Sequence, residues 1–486
     1  MAVLRYLFDL VAHSRVSITP VVISTLDSND QILTHRIPVE VNHPPPSNVI
    51  FDGLTFQATK GGVYFNNVSG SVAVQNVTFV NCTFASSNTM PDWNAVDLEY
   101  IDGVHFLFNK IQDPLAPVFV HPFAHGLYLT NSNYAEVEGN DISGCSNASG
   151  LLMIEVMSGV VRNNRVHDNL SNLLLHQSSL LRVEGNDLYC PGEVGDSTLG
   201  GASFEAANVT DSVFRFNRIA DGCETEIGSS ARDVAYFASW WIDTACDSIT
   251  TQNRVYQNVF FGKTKQAMSP AKRPFEIMFL DQCPVVEPYA STRNVFKNNV
   301  FSHGVQRLLY LENPVAGFDF REYFEGNLVG RGTGEDGVIG YNAGTVSVDY
   351  SVAEADANID LSDRWDRNRS GDPSFKNIDD LVGSGSWVPE LWDFHLKAGS
   401  AAIDSGVALT TTSGAGTAAT TMTVGDARFF VAGDWILIGE AGWRQIDTVN
   451  YVANQLTLKT AATWPDGAGI TLGYLGAAPD IGAYEY

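Results

Sequence analysis

Two carboxylates two residues apart open the chemical reading. Asp97 and Glu99 lie in Val-Asp97-Leu-Glu99-Tyr. In an extended chain, positions i and i+2 share a face, with Cα atoms about 6.8 Å apart. Two carboxylates so placed can act as acid and base across a glycosidic bond. They can equally hold Ca²⁺, the one metal this sequence nominates, against an anionic sugar. A solvated acidic face is the plain alternative. His125 and Tyr128 follow in His125-Gly-Leu-Tyr128. Histidine moves protons near neutral pH, and tyrosine can stack on a sugar ring or act as a base when its pKa falls. His121 precedes His125 by four residues, but in a Pro-containing loop rather than a helix, so the pair is a weak metal motif. Glu205 is the remaining catalytic candidate.

A second group of residues suits substrate binding. His176 and Glu276 occupy outward strand positions, and Trp240-Trp241 offers a flat surface for sugar rings, although in a strand one of the two must face the core. Lys263, Lys265, Lys272 and Arg273 form a basic loop that holds three of the chain's nine lysines. Such a rim would suit uronate or sulfate groups, and one of its lysines could abstract a proton in β-elimination. A merely solvated loop is the alternative.

These residues are positioned by a repeat. Its marker is Asn-x-(Ile/Val/Leu/Phe), at Asn109, Asn140, Asn164, Asn186, Asn217, Asn258, Asn299 and Asn327. The spacing varies from 22 residues, between Asn164 and Asn186, to 41, between Asn217 and Asn258. Asn81-Cys-Thr-Phe reads as a weaker first copy, with Asn81 as a buried turn residue. Fourteen residues upstream of five markers a period-2 segment begins. Its first and third residues are apolar (Val96/Leu98, Leu127/Leu129, Leu151/Met153, Leu173/Leu175, Phe204/Ala206), and its alternate positions are mixed. That is one half-buried strand per repeat. Short strands repeated without helical periodicity predict a parallel β-solenoid. Stacked at one corner, the Asn side chains would bond one another and the turn backbone. Nine such coils at about 4.8 Å each make a rod of about 40 Å. Two residues before the marker, Glu138, Arg162, Glu184 and Arg215 alternate in sign, which places opposite charges on neighbouring coils. These arginines read as structural. Asp97 and Glu205 fall four coils apart, about 19 Å, too far for one catalytic pair. Leu152, Ile154 and Leu174 point outward yet are apolar, so the middle of this face is expected to be covered by a loop or by a partner chain in a homo-oligomer.

Composition narrows the partners. Lys plus Arg is 29 against 55 Asp plus Glu, a net charge of −26, which argues against nucleic acid and anionic membranes as ligands. No apolar run reaches the roughly 18 residues of a membrane span. The first residues carry Arg5 and Asp9 within the apolar stretch and do not read as a signal peptide. Six Cys in this length are too few for a disulfide scaffold, and the lack of a Cys-x-x-Cys argues against a zinc cluster. Cys190 with Cys223, and Cys246 with Cys283, are candidate disulfides in an oxidising compartment, whereas Cys82 and Cys145 lack an obvious partner.

Segments such as His125-Gly-Leu-Tyr-Leu-Thr-Asn-Ser and Glu138-Gly-Asn-Asp-Ile-Ser-Gly resemble the right-handed parallel β-helix of the pectate-lyase-like superfamily over about residues 48–405. The C-terminal pair Ala401-Ala-Ile-Asp-Ser-Gly-Val407 and Ala478-Pro-Asp-Ile-Gly-Ala-Tyr-Glu485 resembles the closing segment of secreted bacterial β-helix proteins, interrupted by an inserted small antiparallel β-module. The module reads as a cap for the solenoid end or as a glycan-binding unit. The expected architecture is therefore all-β: an N-terminal segment over 1–47, the β-helix over 48–407, the module over 408–477 and a return strand over 478–486. The resemblance implies a secreted or cell-envelope protein that cleaves a polysaccharide along one face, with a lean to a uronate lyase. A glycoside hydrolase, a C5-epimerase and a non-catalytic glycan-binding or spacer module are the alternatives.

Overall fold

The computed structural model describes residues 22–23, 37–38, 48–58, 63–66, 74–86, 94–112, 125–145, 149–189, 202–220, 235–239, 250–262, 277–281, 294–302, 309–313, 322–330, 339–343, 346–357, 365–378 and 392–485. Within them the chain winds as a parallel β-solenoid. Each coil contributes one strand to each of three sheets, here termed front, flank and back in chain order. One coil, for example, consists of Val96–Glu99, Ile101–Leu107 and Lys110–Gln112. The described front, flank and back sheets contain 12, 11 and 12 strands. At about 4.8 Å per strand the solenoid is about 50 Å long, longer than the 40 Å expected from the Asn markers alone. The extra length comes from strands before Asn81 and after Asn327.

Apolar alternation sets the register. Val96, Leu127, Leu151, Leu173 and Phe204 pair in one column, and Leu98, Leu129, Met153, Leu175 and Ala206 in the other. All ten are buried. A one-residue slip would turn both columns out to solvent, which is why the register is unique. The flank sheet adds an inward aromatic row in which Phe296 stacks on Phe324 at 4.7–4.8 Å spacing, as Phe51 does on Phe79.

The corner between flank and back sheets has the same form in each coil from Phe108 to Asn368. Two residues connect the strands. The first adopts a left-handed conformation, from Phe108 (φ 54°) through Gly185 (φ 65°) to Arg367 (φ 52°). The second is the ladder Asn. Asn140, Asn164, Asn186, Asn217, Asn258, Asn299, Asn327 and Asn368 are joined side chain to side chain at 2.8–3.0 Å. Each also donates to a carbonyl of the preceding coil, as Asn217 does to Val183 O at 2.9 Å. Asn81 is a correction. It is exposed, has φ 54°, and occupies the left-handed position, while Cys82 takes the ladder place and donates its backbone N–H to Asn109 Oδ1 at 2.8 Å. Cys82 and Cys145 are free and buried, and burial raises both thiol pKa values. Cys190, Cys223, Cys246 and Cys283 lie outside the described residues.

The C-terminal end of the front sheet is closed locally. Val346–Tyr350 pairs antiparallel with Ile339–Ala343 and ends the parallel ladder. The short helix Val352–Ala357 follows, with Val352 and Ala355 packed into the core. Ser351 and Glu354 form a capping box at its start: Ser351 N donates to Glu354 Oε2 at 2.8 Å, and Glu354 N to Ser351 Oγ at 3.2 Å.

The module does not provide this end cap. Its antiparallel strands, from Thr410–Thr411 to Gly469–Leu472, enclose a core that includes Ile436, Ile446, Leu456 and Ile470. It packs sideways on the flank sheet. Arg215 makes a bidentate pair with Asp434 at 2.7 and 2.8 Å. Arg254 Nε donates to Asp426 at 2.6 Å, Tyr256 OH to Phe429 O at 2.5 Å, and Lys297 Nζ to Leu409 O at 3.0 Å. The sign-alternating ladder is present as well, with Arg162 bonding Glu138 at 2.6 Å and Arg215 bonding Glu184 at 2.8 Å.

The back sheet is covered in the same half of the solenoid. Its outward column changes from Lys110, Asp141, Arg165, Asp187 and Arg218 to Val259, Val300 and Leu328. Phe375, Phe394, Leu396 and Ile481 pack on the apolar part. The two halves of the interrupted closing segment meet beside it, through Gly406 N to Pro479 O at 2.7 Å and Ile481 N to Ala402 O at 3.0 Å. Burial there, aided by repulsion from Asp480, raises the Glu485 pKa from 4.5 to about 7. The folded chain therefore holds this proton up to about pH 7, while the unfolded chain releases it near 4.5. Stability contributed by this group falls as pH rises from 4.5 to 7 and is level above. Glu485→Gln is expected to raise Tm at pH 8 and leave it unchanged at pH 4. Scanning calorimetry at the two pH values checks this, and an equal Tm at pH 8 would refute it.

Candidate functional site

The front sheet is the face on which the catalytic candidates gather. Its outward positions form two columns. One runs Asp97, Tyr128, Leu152, Leu174, Glu205, and the other Glu99, Thr130, Ile154, His176, Ala207. Connections to and from this sheet are long, among them 113–126, 190–203, 221–234 and 263–276 on one side and 240–253 and 282–294 on the other. The flank-to-back turns are two residues throughout the same coils.

Asp97 and Glu99 are both half-buried on this face, on the strand beside Tyr128 and Thr130. The side-chain amide of Asn94, three residues upstream, donates to Asp97 Oδ2 at 3.0 Å and fixes that carboxylate. Tyr128 is in register with Asp97. Burial and the neighbouring Glu99 and Asp97 raise its pKa, so it keeps its hydroxyl proton and donates rather than acting as a base.

His125 lies against Tyr128, with ring centroids 5.5 Å apart. Its Nδ1 is 2.6 Å from Ser149 Oγ and 3.3 Å from Ser149 N, a donor. Nδ1 is therefore the accepting nitrogen and the proton belongs on Nε2. Burial lowers the His125 pKa to about 4, with a further contribution from His176, so the ring is neutral at physiological pH. A neutral ring with Nε2–H is a hydrogen-bond donor there.

His176 and Glu205 come together, with Nε2 and Oε1 3.0 Å apart. They belong to adjacent strands and opposite columns, and their side chains are 27% and 14% exposed, which leaves the imidazole reachable. Asp97 and Glu205 are separated by four strand steps, about 19 Å, and form no pair. Of the apolar centre, Leu152 is already buried within this chain, and Ile154 and Leu174 are half-buried.

Among the described residues no group of three or more His, Cys, Asp or Glu is placed to hold a metal ion. Asp97 and Glu99 would supply two carboxylates of the six to eight oxygen ligands that Ca²⁺ takes, with water and substrate providing the rest. Trp240, Trp241, Lys263, Lys265, Lys272, Arg273, Glu276 and His121 lie outside the described residues.

The stacked three-sheet coils with one Asn corner have a counterpart among known families. The family model described as a right handed beta helix region matches residues 44–262. The solenoid is a right-handed parallel β-helix. No curated protein matches the sequence. Among solved structures, the tailspike protein of E. coli bacteriophage HK620 in complex with a pentasaccharide is similar at 11% identity and a TM-score of 0.30, over 87% of this chain and 68% of that one. A double mutant of the same tailspike matches at 10% identity and a TM-score of 0.28 over the same shares. No helix among the described residues is long and apolar enough to cross a membrane.

The sequence reading missed the His176–Glu205 contact. Both residues were recognised as outward, but a diagonal contact between neighbouring strands depends on rotamers that spacing does not reveal.

Proposed function

We propose that the front face of this β-helix binds a neutral polysaccharide along the solenoid axis and that Asp97 and Glu99 hydrolyse a glycosidic bond in it. The observation that carries this reading is a division among the three faces. From Asp97 to Glu205 the front presents three carboxylates, two histidines and Tyr128 on neighbouring strands, whereas the flank and back columns of the same coils are taken up by charge pairs such as Arg162 with Glu138 and Arg218 with Asp187. A linear groove about 50 Å long suits a linear polymer. From Asp97 to Ala207 the outward columns of the front strands contain no Lys or Arg. With Asp97, Glu99 and Glu205 on it, such a face repels a uronate chain and tolerates a neutral one. This moves the balance from the lyase expected above toward hydrolysis.

The roles follow from the contacts. Asn94 donates to Asp97, which suits the ionised partner, so Asp97 is the base or nucleophile and Glu99 the acid that protonates the leaving oxygen. Tyr128 keeps its proton and donates to a substrate hydroxyl. His176, oriented by Glu205, serves a sugar unit three strand steps along.

The test is a digest of neutral glycans and polyuronates, read for reducing ends and for the ultraviolet absorbance of an unsaturated uronate. New reducing ends without the absorbance are expected. Asp97→Asn and Glu99→Gln should each lower kcat by about 10²- to 10⁴-fold with the circular dichroism unchanged. Appearance of the absorbance would overturn hydrolysis and return attention to the basic loop 263–273. No cleavage across the panel would leave the binding or spacer reading.

A further inference from the structure

The inward-facing half of the module's sheet is accounted for by its core. One outward patch is not. Trp435 and Trp443 are 54% and 43% exposed, although exposed tryptophan is costly on a solvated surface. Strand pairing places them together. Trp443 is opposite Leu437, and Leu437 opposite Thr471; in the next row Gln445 is opposite Trp435. Gly473 donates its N–H to Trp435 O at 3.1 Å, which puts it at the other side of Trp435. All of these residues lie on one face of three neighbouring strands.

Gly473 shows how the patch is built. A Cβ there would stand 1.5 Å from Cζ3 and 2.0 Å from Cη2 of Trp443, an impossible overlap. The Trp443 indole therefore reaches across the strand Trp435–Ile438 and lies against bare backbone at Gly473. The ring is held in contact with the protein there while much of it stays exposed to solvent. Trp435 stands at the same glycine. The result is two exposed indoles on one face of the sheet, one of them held against Gly473, with Gln445, whose amide donates to Gly433 O at 3.0 Å, on the same face and exposed Asp447 two residues beyond it.

We infer that this patch is a second glycan site, which binds pyranose rings of a neutral polysaccharide by stacking. A protein or lipid partner would favour a continuous apolar face, whereas here flat aromatic surface is edged with hydrogen-bonding side chains, the combination that matches a sugar's apolar C–H face and its equatorial hydroxyls. Exposed Asp447 and the net charge of −26 disfavour anionic chains. The patch belongs to the module, not the front groove, so the inference stands independently of the hydrolysis reading.

The test uses the full chain carrying Asp97→Asn and Glu99→Gln, so that no ligand is consumed. Titrations with cellohexaose, laminarihexaose and mannohexaose are followed by calorimetry and tryptophan fluorescence. At least one oligosaccharide should bind and change the indole emission. Trp443→Ala and Trp435→Ala should each weaken it at least tenfold. Gly473→Ala, which displaces the Trp443 ring without removing it, should weaken it as well. Sedimentation checks that each variant is folded and of unchanged size. A ligand-induced change of indole emission and a binding stoichiometry that both survive the two tryptophan substitutions would overturn the inference, as would absence of binding to all three sugars. A parent that self-associates while the tryptophan variants do not would overturn it in favour of a contact between copies.

Discussion

Asn217→Leu is expected to cost about 5 kcal/mol, as two or three buried polar groups lose their partners at roughly 1–3 kcal/mol each. Leucine fills nearly the same space but can make none of the four bonds. Asn217 donates to Val183 O at 2.9 Å and to Asn258 Oδ1 at 2.9 Å. Its Oδ1 accepts from Asn186 N at 3.1 Å and Asn186 Nδ2 at 2.9 Å. The side chain is 1% exposed, so water cannot replace the lost partners. In a solenoid each coil contacts mainly its neighbours, so the loss is felt first between adjoining coils. Hydrogen exchange should accelerate in Val213–Arg215 and Arg218–Ala220 before it does in distant coils. The measurement is exchange by mass spectrometry together with urea unfolding. A cost below 1 kcal/mol would show that the ladder is decorative.

The second large effect concerns the docked module. Asp434→Ala is expected to cost about 3–5 kcal/mol, because it strips a buried guanidinium of its bidentate partner. The Arg215 side chain is 5% exposed and Asp434 11%. Glu184 remains on Nε at 2.8 Å and Tyr256 OH on Nη1 at 3.2 Å, but the Nη2 bond to Asp434 and the second carboxylate charge are lost. The backbone N–H of Val431, which donates to Asp434 at 2.9 Å, also loses its acceptor. Combining Arg215→Met with Asp434→Leu should recover most of the loss, since apolar replacement of a buried pair is often neutral; Glu184 would keep Arg182 at 3.2 Å. The check is a double-mutant cycle by thermal unfolding. Additive single costs would mean that the pair does not hold the module.

Much of the fold was legible in the chain, for a physical reason. Parallel coils repeat one environment, so burial leaves the same mark each time: an apolar i, i+2 pair, then a corner Asn. That is why the five-strand register could be read residue by residue. The errors are equally physical. Asparagine suits two adjacent places at the corner, the left-handed turn position and the buried ladder. Asn81 takes the first, as Asn163 and Asn298 do, and residue type alone does not separate them. Asn368 belongs to the ladder but is followed by Arg369–Ser370, a strand without the apolar residue the marker requires. The module's place on the flank was invisible because Arg215 and Asp434 are 219 residues apart. One hint was available in the back sheet, where outward charges give way to Val259, Val300 and Leu328. Outward apolar residues announce a cover without saying what supplies it. The acidic pair of the site was readable from two residues, while its setting (Asn94 on Asp97, the raised Tyr128, the neutral His125) needed neighbours from other coils.

The uniform two-residue corner bears on how such a chain can change over generations. Coils of 22 and 41 residues feed the same ladder without a shift in its register. Closing the longer coil costs only about 0.5 kcal/mol more, since each doubling of a loop adds about 0.6 kcal/mol. The Asn corner therefore works as the spine of a ring binder: pages of any length can be lengthened, shortened or exchanged, provided their punched edge is kept. New segments can accumulate around the front groove, where the substrate would meet them, at almost no thermodynamic penalty. A single residue inserted between Gln257 and Asn258, by contrast, would break the two-residue corner of that coil and its ladder bonds to Asn217 and Asn299.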